Sequence, residues 1–169
     1  GFTLAKKTGQ ISMVTIQNWM FLSSFEKMRE QILDRKTIRT LAQVGFNSFP
    51  SLNSKIALAA AFSISNHRFS GFVGTYIDLN SAPQSADKRE VFLTQSPTAR
   101  FQVSEHEFTK VPGSPVAYAM SEAFRATFAE NECFEDYASC IQGIITGNTD
   151  RFLRLWHEPG HQNVALNYS

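Results

Sequence analysis

The sharpest chemical spacing in the sequence is His157-Glu158-Pro159-Gly160-His161, two histidines four apart with a glutamate between them. On a helix that arrangement holds zinc beside a carboxylate base. Pro159-Gly160 at its centre works against any helix, disfavouring one by roughly 3 and 1 kcal/mol relative to alanine. The expectation is a solvent-facing segment and no metal site. Cys133 and Cys140 stand seven apart, fitting neither a zinc knuckle nor a redox Cys-x-x-Cys, and read as ordinary thiols. None of the nine glycines falls in G-x-G-x-x-G, so no phosphate-cradling turn is visible. No complete catalytic constellation is present, and no residue of this chain is expected to be catalytic.

Asn47-Ser48-Phe49-Pro50 invites comparison with the Asn-Pro-Pro-Tyr/Phe signature by which a side-chain amide and a backbone carbonyl accept hydrogen bonds from a target amine. It fails, because the chain has no Pro-Pro pair. Most of the 15 phenylalanines read as core, Phe25, Phe62, Phe124 and Phe128 by their periodicity. Phe46 and Phe49 differ. They fall in a polar loop, 45–55, between two apolar strand-like runs, where an aromatic is either a lid on the sheet edge or a stacking surface for a ligand ring.

The elements that would position these residues follow from periodicity and punctuation. Residues 9–15 read as a buried strand, and Ser23 with Glu26 as a capping box opening a helix that runs to Asp34 with Phe25, Met28 and Ile32 on its apolar face. Residues 36–44 alternate as a strand, 56–65 form an apolar central strand, 74–79 a further short strand and 88–93 a short helix. Ser104 with Glu107 is a second capping box, 111–115 a hard stop, and Val116, Met120, Phe124 and Phe128 recur on a helix ending near Asn131. A strand at 140–146, a turn at Gly147-Asn148 and an amphipathic stretch over 150–156 complete the chain. The fold class expected is α/β, divided into residues 1–80 of a sheet, 81–132 as a helical connector and 133–169 as a small mixed segment.

With 169 residues, 43% hydrophobic and 18% charged, the chain can bury one core of ordinary size. A net charge of +1 removes any argument from global basicity, so nucleic-acid binding has to rest on local features. No run reaches the roughly 20 apolar residues of a bilayer helix. Two cysteines and no signal-peptide pattern point to a soluble chain in a reducing cytoplasm.

In order along nearly the whole chain, the segments 9–29, 45–62, 74–79, 108–118 and 142–156 resemble the later half of a DNA adenine methyltransferase of the large bacterial restriction and phage-defence type, the PglX family of BREX systems. That resemblance implies a partial Rossmann-like sheet. Its first strand and helix correspond to the family's fifth strand and the helix after it, and the next two strands to the sixth and seventh. It further implies a parent enzyme that moves a methyl group from S-adenosylmethionine to the exocyclic amine of an adenine flipped out of double-stranded DNA. Phe49 falls at the family's loop aromatic, with Gln17 and Trp19 beside it as target-base pocket residues. Thr146, Asn148 and Arg151 fall at the entry to the target-recognition region, where they would contact DNA. The cofactor-binding half and the Asn-Pro-Pro-Tyr loop lie upstream of Gly1 in such proteins, so the chain alone is expected to be inactive and its own cofactor binding doubtful. A parallel sheet lacking its first strands exposes an unpaired edge, which favours a homodimer. The alternative reading is a non-catalytic α/β module that binds DNA or a protein partner.

Overall fold

Residues 10–16, 37–45, 59–65, 73–78 and 100–104 have the β-branched and aromatic residues of strands, and all five join one sheet. The computed structural model describes residues 1–46, 58–82, 87–94, 97–132, 134–139, 147, 148, 151, 153 and 158. The strands are β1 (Gln10–Ile16), β2 (Thr37–Gly45), β3 (Ala59–Ser65), β4 (Val73–Asp78) and β5 (Arg100–Ser104), in the spatial order β1-β3-β2-β4-β5. β3 runs antiparallel to both β1 and β2, β4 runs parallel to β2, and β5 closes the far edge antiparallel to β4. The sheet is therefore mixed, where a parallel one was expected: β3 reverses between two strands that share a direction. β5 lies within 81–132, a stretch that sequence patterning reads as helical because Ser104 and Glu107 mimic a capping box.

Side-chain alternation gives the sheet two unlike faces. Ile38 and Leu41 of β2, Ile64 of β3, Tyr76 of β4 and Val103 of β5 are buried together with Met20, Leu33, Phe108 and Val116. The helices are α1 (Glu26–Arg35), α2 (Lys88–Leu93), α3 (His106–Thr109) and α4 (Glu122–Glu130). The Ser23 capping box does not form: residues 23–25 make a 3-10 turn, and no side chain caps α1. Ser121 does cap α4, its Oγ accepting from Phe124 N–H at 3.2 Å.

The apolar faces expected of α1 and α4 are only partly buried. Phe25, Phe124 and Phe128 are exposed, contrary to their reading as core, and Phe62 packs at the core's margin. Each helix instead buries an arginine, Arg29 in α1 and Arg125 in α4. Gly74 of β4 leaves room for the tip of the Tyr76 ring, since a Cβ there would stand 2.7 Å from Ile38 O and 3.0 Å from Tyr76 Oη. The chain divides into two compact units, Gly1–Glu132 and Cys133–Ser169. Among the described residues no helix is long and apolar enough to cross a membrane.

Candidate functional site

In open α/β sheets a ligand sits beyond the carboxyl ends of the parallel strands. Here β1, β2 and β4 share a direction, and their carboxyl ends stand level: Ile16 and Gly45 both face Ala59 across the ladder, and Gln43 faces Asp78. Four polar side chains meet at that end. Tyr118 Oη donates to Gln43 Oε1 at 2.5 Å, and Gln43 Nε2 donates to Gln17 Oε1 at 3.0 Å. Asp78 ends β4, its Oδ1 accepting N–H groups of Asn80 and Ser81 at 2.8 and 3.1 Å.

Local structure explains each position. Gln17 opens a 3-10 turn after β1, and its backbone N–H donates to Leu58 O at 2.8 Å, just before β3. Gln43 occupies an inward-facing position of β2 where alternation calls for an apolar residue. Tyr118 stacks on Tyr76 with ring centroids 5.3 Å apart and planes at 16°. Burial, reinforced by the Asp78 carboxylate, drives the Tyr118 phenol above its ordinary range, so it stays protonated and available as a donor.

Arg29 ties the two ends of this chain of bonds together. Its Nη1 donates to Trp19 O at 3.1 Å and Leu22 O at 2.6 Å, in the segment that presents Gln17. Its Nη2 donates to Gly113 O at 2.6 Å and its Nε to Ser114 O at 3.2 Å, in the bend that leads to Tyr118. Gly113 and Ser114 both have positive φ, +74° and +46°, a reversal that glycine accommodates and serine adopts under strain. Val116 N–H donates to Met20 O at 2.9 Å and closes the same junction.

A second group fixes the exit of β2. Lys88 Nζ donates to Val44 O and Phe46 O on either side of Gly45, and Phe46 N–H donates to Asn80 Oδ1 at 3.4 Å. Gly45 has φ +68°, and a Cβ there would collide with the Asn80 side chain. Burial lowers the Lys88 pKa, an effect that Asp78 opposes.

Of the residues singled out by sequence, Gln17 lies in this polar chain. Trp19 lies two residues on, its ring buried edge-to-face on Phe62 at 5.1 Å, its Nε1 without a hydrogen-bond partner among the described residues. Phe49 lies outside the described residues. Asn148 and Arg151 are exposed in the second unit, where Arg151 N–H donates to Asn148 Oδ1 at 3.0 Å. Thr146, both cysteines and the two histidines of the zinc-like spacing lie outside the described residues. Among the described residues no group of three or more His, Cys, Asp or Glu side chains could hold a metal ion. Sequence reading missed Gln43, Tyr118, Arg29 and Lys88; the one available signal was a glutamine at an inward position of an alternating strand.

No protein-family model matches the sequence. It is 32% identical over 160 residues to the adenine-specific methyltransferase PglX of Lacticaseibacillus casei (strain Zhang), which covers 92% of this chain and 13% of that protein. The chain is homologous to one segment of that methyltransferase. The adenine-specific methyltransferase BrxX of Escherichia coli O9:H4 (strain HS) is 32% identical over 158 residues, 93% of this chain and 13% of that protein. The chain thus spans about an eighth of the length of these PglX/BrxX relatives. A methyltransferase subunit of a type I restriction-modification system from Streptococcus thermophilus matches in structure with a TM-score of 0.50 at 12% identity, covering 70% of this chain and 28% of that one. That likeness concerns the fold and agrees with a partial Rossmann-like sheet.

Proposed function

We propose that this chain works as one segment of an adenine-specific DNA methyltransferase of a phage-defence or restriction-modification system, supplying part of the pocket that receives the flipped adenine. The observation that carries the reading is the match to PglX over 92% of the chain, with the Gln17–Gln43–Tyr118 chain at the end of the sheet where α/β ligands sit. Phe49 stacks on the extrahelical base, Gln17 borders it, and Trp19 supports the turn that presents Gln17. Thr146, Asn148 and Arg151 meet the DNA backbone.

S-adenosylmethionine supplies the methyl group in such a reaction. The residues of this chain do not fit it, because the sequence carries no glycine-rich turn to cradle it. Cofactor binding is therefore assigned to the remainder of the methyltransferase. The protein works on double-stranded DNA in the cytoplasm, and the outer edge of β1, unpaired among the described residues, favours self-association of the isolated chain.

The test is Phe49→Ala in the full-length methyltransferase. Methylation of duplex DNA should fall at least tenfold while S-adenosylmethionine affinity stays near wild type; an unchanged rate returns Phe49 to a lid over the sheet edge.

A further inference from the structure

Gln17, Gln43 and Tyr118 form a chain of bonds with a direction, and the direction has a chemical consequence. Tyr118 is 3% exposed, and the acceptor its hydroxyl meets among the described residues is Gln43 Oε1 at 2.5 Å. A buried hydroxyl proton needs an acceptor, so the Gln43 carboxamide is held with its oxygen toward Tyr118 and its nitrogen away. That nitrogen donates to Gln17 Oε1 at 3.0 Å. Turning over the Gln17 amide would set two NH2 groups against each other; turning over Gln43 would set NH2 against the phenol proton. The oxygen of Gln17 is thus used within the chain, and the group left at its end is the Nε2 donor.

We infer that Gln17 reads the target base through this donor, its Nε2–H meeting an acceptor ring nitrogen of adenine, with Gln43 and Tyr118 as positioning residues that fix its polarity. The inference rests on the base-pocket reading above and deepens it. Adenine offers unprotonated ring nitrogens at N1, N3 and N7, whereas guanine carries a proton on N1. A donor held in one polarity therefore accepts an adenine edge and, if it faces N1, opposes a guanine one. The exocyclic amine is itself a donor and stays free for the methyl transfer.

The experiment uses the full-length methyltransferase and duplexes carrying adenine, 1-deazaadenine, 3-deazaadenine or 7-deazaadenine at the target position. For wild type, kcat/KM should fall roughly 3- to 10-fold more for one of the three analogues than for the other two, as expected of one lost hydrogen bond. Gln17→Leu should lose that same factor on adenine and show no further loss on that analogue. Tyr118→Phe, which frees the Gln43 amide while conserving the ring, should weaken the discrimination without abolishing methylation. If wild type and Gln17→Leu rank the three analogues identically, the inference is overturned. If Phe49→Ala also keeps wild-type methylation, the base-pocket reading falls with it; if Phe49→Ala loses activity, only the role of Gln17 falls.

Discussion

The two edges of the sheet are built differently. β5 is short, sends Phe101 and Val103 toward the core, and turns Gln102 outward. Its Arg100 lies over the Phe92 ring at 5.5 Å and donates to Phe92 O at 2.9 Å. That is a finished edge, blunted by polar and charged groups. β1 leaves Met13, Val14 and Ile16 exposed at 47%, 61% and 53%, and alternation puts Met13 on the face opposite the other two. An apolar groove of about 500 Å³ runs along one face of β1, bordered by Ile11, Met13, Trp19, Phe25 and Met28. The contrast teaches that polarity at a strand edge records what that edge is meant to meet. Among the described residues β5 turns a glutamine outward, while β1 leaves apolar side chains exposed on both faces.

Arg29 joins the β1 side to the β5 side, so its loss is the largest effect expected. Arg29→Met leaves the carbonyls of Trp19, Leu22, Gly113 and Ser114 without their shared donor and should cost about 3 kcal/mol or more, read as a lower urea midpoint at unchanged slope. A loss under 1 kcal/mol would mean that the two sides hold together without it.

The next effect belongs to the β5 side and depends on pH. Glu105, just past β5, is 5% exposed and accepts the N–H of Ile38 in β2. Burial pushes its pKa up to about 7, against the opposing pull of that hydrogen bond and of Arg68. Because the folded state holds this proton more tightly than the unfolded chain, the contribution is full below about pH 4.5, declines between there and pH 7, and is lost above. Glu105→Gln keeps the acceptor and cannot ionise. It should match wild type at pH 4 and exceed it by about 2 kcal/mol at pH 8 in chemical denaturation. Equal stability at pH 8 would show that the carboxylate is solvated there.

The smallest effect on stability is also the cleanest test of the edges themselves. Val14→Lys on β1 should change stability by less than about 0.5 kcal/mol yet shift sedimentation of the isolated chain toward monomer, whereas Gln102→Lys on β5 should change neither. Matching responses at both edges would erase the distinction.

The first four strands are legible in the sequence because alternation and turn residues bound them to within three residues. Their spatial order is not: inserting β3 between β1 and β2 depends on pairings across long loops, which local pattern does not carry. β5 has a clean alternation, Phe101 and Val103 against Gln102, but the capping signal beside it outweighs five residues of strand. Phe124 and Phe128 pack on each other at 5.5 Å and stay exposed, since periodicity reports a stripe and not what lies against it. For the site, resemblance indicates Gln17 as a pocket residue. Its partners Gln43 and Tyr118 come from β2 and from a bend held by a buried arginine, 26 and 75 residues apart in sequence from the atoms they bond. Only the fold brings them together.

The central claim is tested most directly by incubating the full-length methyltransferase with S-adenosylmethionine and duplex DNA and measuring methylated bases by mass spectrometry. Wild type should form N6-methyladenine, and Phe49→Ala should form sharply less. Methyl transfer to another base, or none from an enzyme that binds both cofactor and DNA, would contradict it.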